Sequence, residues 1–504
     1  MGGRFRDKAT LIMLNVLPKS LWNPVTAAHL LNRAGFGADP ETIAGAAARA
    51  PAAVVDELLD FSAASDFGPP SWLNEPEVNL RPYRRALRDL PEEERQKIQR
   101  EMRQREGERM AELRAWWLYR MRYSTRPLQE KLTLFWHGHF ATGMEKVRSS
   151  YCMYRQNETF RAHAAGHWRT LVEAVAHDPA MLIYLDNAQS RAGQPNENFA
   201  RELMELFTLG EGHYHEEDIK AAARAFTGWT LHADEFAFED RPRMHDGGTK
   251  TLFGQSGAWD GRDAIRIILD QPAAAPWIVA KLWTFFAYPE PEPELVQALA
   301  ARLVHHRYEF KPWLRDVFLS EEFYRARALH TQIKSPVQWL IGATRSLQAP
   351  LPAGTLCTLA LRELGQELFA PPNVKGWDGG ATWITATTLF HRYNYAGFLV
   401  NGGPGRGVPA KTEAPPPEQR ARVAAARARP VVEPGLILPA RDRATRATAQ
   451  QALEWRLYQR PLRDQDRQAV AEAMARMPEP ANWSDEDVRH LVHTMMSTPL
   501  FQLT

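Results

Sequence analysis

Two histidines separated by a single glycine, His137 and His139, are the first residues here that could do chemistry. Imidazole offers a neutral nitrogen that suits zinc, iron, nickel or copper. Two apart in a regular helix, the rings diverge by about 200°; in extended or helix-ending backbone they point the same way, and Gly138 allows such a break. The plainer alternative packs one ring beside Trp136 and Phe140 and bonds the other to backbone. A second set follows at Pro195-Asn196-Glu197-Asn198, which reads as a helix start with Asn196 as cap. Turning about 100° per residue puts Phe199, Leu203, Met204, Leu206 and Phe207 on one side. Glu197, Asn198, Arg201, Glu202 and Glu205 fall on the other. Glu202 and Glu205, three apart, become neighbours, which is how a helix offers two carboxylates to an ion or an acid/base pair. The spacings Glu197–Arg201 and Arg201–Glu205 are also those of ordinary surface ion pairs, each worth about 0.3 kcal/mol.

A third set, His245, Asp246 and Lys250, sits in a glycine-punctuated loop. His245 could add a nitrogen ligand, and Asp246 could ligate or orient it. The plainer reading is a turn whose Asp bonds its own backbone. The GGTK word lacks the spacing of a nucleotide phosphate loop. The chain has no HExxH, GxSxG or GxGxxG with the required flanks, which argues against the commonest metalloprotease, hydrolase and dinucleotide sites. These residues support an enzyme reading: Glu202, Glu205, Asp246 and Arg201 as catalytic groups, and His137, His139, Glu202 and His245 as ligands of a divalent transition metal. Such a metal would activate water or, if redox-active, act on dioxygen. The other reading is a non-catalytic helical binding or assembly protein, in which these charges are structural and the helix 89–123 or an Arg-rich insert meets a protein partner. Trp377 and Trp383, in a Pro/Gly loop, could stack on a planar ligand but more often such rings plug a loop into the core.

The elements that must carry these residues are mainly helical. Asp39-Pro40 is a cap followed by a first-turn proline. Thr26 is a candidate cap for the helix before it. Asp89 opens a long charged helix, 89–123, with Glu92, Glu93 and Glu94 near its positive end. Further helices are expected at 261–269, 274–286, 293–305, 313–319, 337–347, 358–364, 386–399, 448–458, 464–476 and 485–496. Residues 231–260 form an irregular excursion with at most a short hairpin. At 215 a capping box wants Ser or Thr; His215 stands there while Asp218 remains. The fold class is all-α: one large helical domain at 20–400, a surface linker or insert at 401–440, and C-terminal helices at 441–504 packing back on the main domain.

The words AAHLLNRAGFG at 27–37, RPLQEKLTLFWHGHFAT at 126–142, the block 181–229, HDGGTKTLFG at 245–254, PPNVKGWDGG at 371–380 and STPLFQL at 497–503 closely resemble a large bacterial family catalogued as domain of unknown function 1800. The likeness spans most of the chain and is weakest at 80–110 and 401–440. The resemblance implies no established activity. It does imply that members often look exported, and that position 215 is usually threonine.

The chain has 504 residues, and 62 Lys plus Arg against 60 Asp plus Glu give a formal charge of +2. That balance gives no support for nucleic-acid binding as the main business. Two cysteines, Cys152 and Cys357, exclude a multi-bridge disulfide framework and a cysteine-based metal cluster, and fit two free buried thiols. The apolar stretch Leu11 to Leu17 is too short for a membrane span and marginal for a leader, so the expectation is a soluble, cytoplasmic protein.

Overall fold

Many helices begin where the sequence pairs a polar cap with a first-turn proline. Asn23-Pro24, Asp39-Pro40, Asp178-Pro179 and Ser335-Pro336 each start one, with the cap side chain accepting from the first free amides. A proline at that position gives up an N–H that would have no partner anyway. Asn23 takes the role assigned to Thr26. Thr26 is instead the third helical residue and completes a capping box by accepting from Asn23 N at 2.9 Å. The structure, a computed structural model, describes residues 14–62, 67–76, 78–79, 90–401 and 432–504. Asp89 and most of the expected 401–440 insert lie outside the described residues.

The fold is mainly helical. Among the described residues the only sheets are two antiparallel hairpins, Trp229–Leu231 with Phe238–Asp240 and Lys250–Leu252 with Gln255–Gly257, both within the excursion expected at 231–260 or at its edge. By internal contacts the chain divides into two units. Unit 1 takes the described parts of Met1–Leu21, Ala162–His232 and Ala237–Ala328; unit 2 takes those of Trp22–Arg161, Ala233–Phe236 and Leu329–Thr504.

Unit 1 is built on the helices Trp168–Ala176, Glu216–Ala225, Gly261–Leu269, Ala274–Phe286, Pro293–His305 and Phe310–Phe318. Trp168, Trp283 and Trp313 are fully buried in it. The Trp313 indole N–H donates to Leu299 O at 2.9 Å, so its polar atom is matched inside the core.

Unit 2 contains the long helix Glu92–Tyr123, whose first half is mostly exposed and whose second half buries Met110, Leu113, Trp117, Leu118 and Met121. The next helix, Pro127–His139, is buried along almost its whole length. Glu130, on that helix, is completely covered. It accepts from Trp117 Nε1 at 3.0 Å, Arg120 Nε at 3.0 Å, and Arg161 Nε and Nη2 at 2.8 and 2.9 Å. Burial alone would raise its pKa, but the two guanidiniums outweigh that and hold it below the usual carboxylate range. Both cysteines lie in this unit, free and buried. No helix among the described residues is long and apolar enough to cross a membrane.

Candidate functional site

His137 and His139 belong to unit 2. Gly138 does not break the helix, which runs through His139. His137 is buried among Trp117, Phe369 and Trp377, with ring centroids 5.2, 5.0 and 5.6 Å away. Its Nε2 accepts the Phe369 N–H at 3.0 Å, so that lone pair is in use and the neutral ring carries its proton on Nδ1. Burial pushes its pKa down to about 3. His139 stacks on Phe135 at 5.7 Å and meets Phe140 edge-on at 4.6 Å. The loop that supplies Trp377 fits because of one glycine. Gly376 has φ +82°, and a Cβ there would stand 2.2 Å from Gly138 O. Two of the family-like words, around 126–142 and 371–380, therefore meet as a packed junction.

Glu202, Glu205, Arg201, His245 and Asp246 belong to unit 1. Asn196 caps the helix Glu197–Glu202, accepting from Asn198 N at 2.8 Å. Beyond Glu202 the chain widens into a π-helical turn, Leu203–Thr208. Local bonds and one tertiary bond accompany it. Trp277 Nε1 donates to Leu206 O at 3.1 Å, Thr208 Oγ1 donates to Leu203 O at 2.5 Å, and Leu209 N reaches back five residues to Met204 O at 2.9 Å. Gly210, at φ +87°, leaves room for the Trp277 ring, which a Cβ would meet at 2.7 Å. Sorting by 100° steps holds as far as Glu202, and beyond it the wider turn advances less per residue.

The charges here are matched locally. Arg201 pairs with Glu197 at 3.5 Å and with Glu216, Nη1 to Oε2 at 3.1 Å, and not with Glu205. Glu205 instead accepts from the Tyr214 hydroxyl at 3.0 Å. Burial, then this carboxylate, pushes the Tyr214 pKa up to about 12. Asp218 binds two backbone donors, His215 N at 2.9 Å and Phe253 N at 2.8 Å, so one carboxylate both caps a helix and pins the second hairpin.

In the 245–250 loop, Arg224 grips Asp246 with two bonds, 2.7 and 3.1 Å. That contact and the Gly248 N–H hold Asp246 down at about 2. His245 Nδ1 meets Thr227 O at 2.9 Å. Lys250, buried, donates to the carbonyl oxygens of Asp246 and Gly248 in its own loop. Among the described residues, no three His, Cys, Asp or Glu side chains are grouped as metal ligands.

A sizeable open space lies elsewhere, inside unit 2. It has a volume of about 680 Å3, within the roughly 300–1,000 Å3 typical of small-molecule sites. One wall is the helix Asp464–Ala475 through Ala469, Val470 and Ala473; another is Asp485–Met496 through Leu491 and Met495. Leu329, Leu500 and Leu503 add apolar surface. The polar lining includes His330, Arg460, Arg463 and Asp466. Arg463 bonds Asp466 at 2.8 Å and is largely exposed, which marks the solvent side. Nothing in the sequence flags this space, because its lining comes from two segments about 130 residues apart. The nearest signal is the family-like word STPLFQL at 497–503.

The protein family described as "Protein of unknown function (DUF1800)" matches residues 29–503. The chain belongs to this family. No curated protein and no solved structure matches it. The family match takes in the His137 junction, the π-helical turn, the 245–250 loop and the lining of the unit 2 cavity.

Proposed function

We propose that the protein binds a small apolar molecule in the unit 2 cavity, which makes it a helical binding protein. One observation carries this reading: a space of about 680 Å3 walled by leucine, valine, alanine and methionine side chains. Apolar surface of this kind gains about 25 cal/mol per Å2 when a ligand takes it out of water. The Asp464–Ala475 helix supports the reading too. Only Val470 and Met474 of its twelve residues are buried, against six in the neighbouring helix Asp485–Met496. Its apolar residues in the lining are Ala469, Val470 and Ala473.

The test uses Nile red, a neutral dye that brightens in apolar surroundings. The full chain should bind it, and Ala473→Trp and Val470→Trp, which fill the space, should each weaken binding about tenfold with unchanged helical circular dichroism. Equal dye binding by both filled variants would sink the reading. A second reading, catalysis at Glu205, is favoured by its 3.0 Å hydrogen bond to Tyr214. It requires that Tyr214→Phe abolish any turnover found, while leaving dye binding intact.

A further inference from the structure

The same cavity carries a charge that no hydrogen bond or ion pair among the described residues balances, with Asp466 the nearby carboxylate that acts on it. Arg460 lines it, half-buried, and makes no hydrogen bond or ion pair with any described residue. Its neighbours among the charged lining groups are Arg463 and Asp466, and those two are already bonded to each other. Two guanidiniums and one carboxylate leave a single net positive charge beside apolar walls. A partly desolvated guanidinium without an anion is costly, and its planar fork fits a carboxylate with two parallel bonds.

His330, in the same lining, adds a second unmet demand. Its Nε2 is buried without a hydrogen-bond partner among the described residues. Its backbone sits at φ +55°, a region that costs an L-residue about 1–2 kcal/mol. Strained backbone of this kind is retained where the surroundings over-determine it, and it clusters at ligand sites. Burial keeps this ring neutral, and Arg460, Arg33 and Lys334 push the same way, so a neutral imidazole with Nε2 protonated could donate to an oxygen of a bound anion.

We infer that the ligand is an amphipathic monocarboxylate, its acyl chain along the walls formed by the two C-terminal helices and its carboxylate on Arg460, with His330 as a second donor. This inference rests on the apolar-cavity reading above and adds the head group. The single net charge favours a monoanion over a dianion, because Asp466 remains in the lining to oppose a second negative charge.

The probe is dodecanoate, titrated calorimetrically below its micelle concentration against the full chain, with dodecan-1-ol and dodecyl phosphate as comparisons. Dodecanoate should bind about tenfold tighter than dodecan-1-ol. Arg460→Met should remove that preference and leave dodecan-1-ol within about twofold. Asp466→Asn should tighten dodecanoate a fewfold, which keeps a second handle should Arg460→Met fail to fold. Equal affinity for the acid and the alcohol in the native chain would overturn the head-group assignment while leaving the apolar site standing. So would dodecyl phosphate binding much tighter than dodecanoate. Binding of none of the three, together with no Nile red binding, would remove both readings.

Discussion

Two histidines of unit 2, His137 and His330, respond to burial alike and differ in everything else. Both are pushed down to about 3 and stay neutral. His137 sits in ordinary helical backbone, packed by three aromatic rings, with its Nε2 bonded to a backbone amide. His330 sits in left-handed backbone, with a buried Nε2 that has no partner, in the lining of a large cavity. A depressed pKa alone therefore does not mark a site. Unmet hydrogen-bonding capacity beside usable space is the better sign.

The comparison can be broken most directly at His137. His137→Ala removes a packed ring and orphans the Phe369 amide, which should cost about 4 kcal/mol in denaturant unfolding and leave dodecanoate affinity of the folded protein unchanged. A cost under about 1 kcal/mol would mean that the aromatic junction holds less than its packing implies.

Next comes acid sensitivity. The unfolded chain protonates His137 near its ordinary value of 6.5, while the folded chain resists until about pH 3. Stability should therefore fall as pH drops through that window, by about 2 kcal/mol between pH 7 and pH 5 from this ring alone. His137→Gln should flatten the slope by that amount, as read from denaturation midpoints at the two pH values. An unchanged slope would show that the ring is not held neutral.

His330→Gly should behave in the opposite sense. It relieves the positive φ and should leave stability level or raise it by up to about 1 kcal/mol, while weakening dodecanoate binding. A variant both less stable and equally competent in binding would make His330 a packing residue like His137.

The smallest effect belongs to unit 1. Asp246→Asn loses a two-bond grip by Arg224, but that pair is partly exposed, so the cost should be about 1 kcal/mol or less. Because Asp246 is held down at about 2, its contribution is present above the ordinary carboxylate range and lost as pH falls toward 2. Loss of much more than that at neutral pH would make the 245–250 loop more than a locally bonded turn.

Much of the helical framework could be read from the sequence, because it depends on short-range rules. The spans 261–269, 274–286, 293–305 and 485–496 coincide with Gly261–Leu269, Ala274–Phe286, Pro293–His305 and Asp485–Met496. Apolar periodicity bounded by caps such as Asp260 and Ser484 sets those limits locally. Asn196 was also legible as a cap, and the apolar set Phe199, Leu203, Met204, Leu206 and Phe207 is buried. What lay beyond reach depends on distant partners. In the π-helical turn, Leu206 O accepts from Trp277, about 70 residues on. The His137 surroundings need Phe369 and Trp377. Arg201 and Asp246 were legible as charged groups, but their partners Glu216 and Arg224 come from a different segment, the helix Glu216–Ala225, which spacing within one helix cannot identify. The cavity has no word of its own at all.

The wide turn at Leu203–Thr208 also bears on how this chain can vary in length. It holds one more backbone unit than tighter winding would use, and both ends are fixed independently, by Asn196 at the start and Gly210 at the finish. Losing one residue inside the turn would let it wind up into an ordinary α-helix with both anchors still in register. Here, unlike most buried helices, a single-codon deletion is something the architecture can absorb.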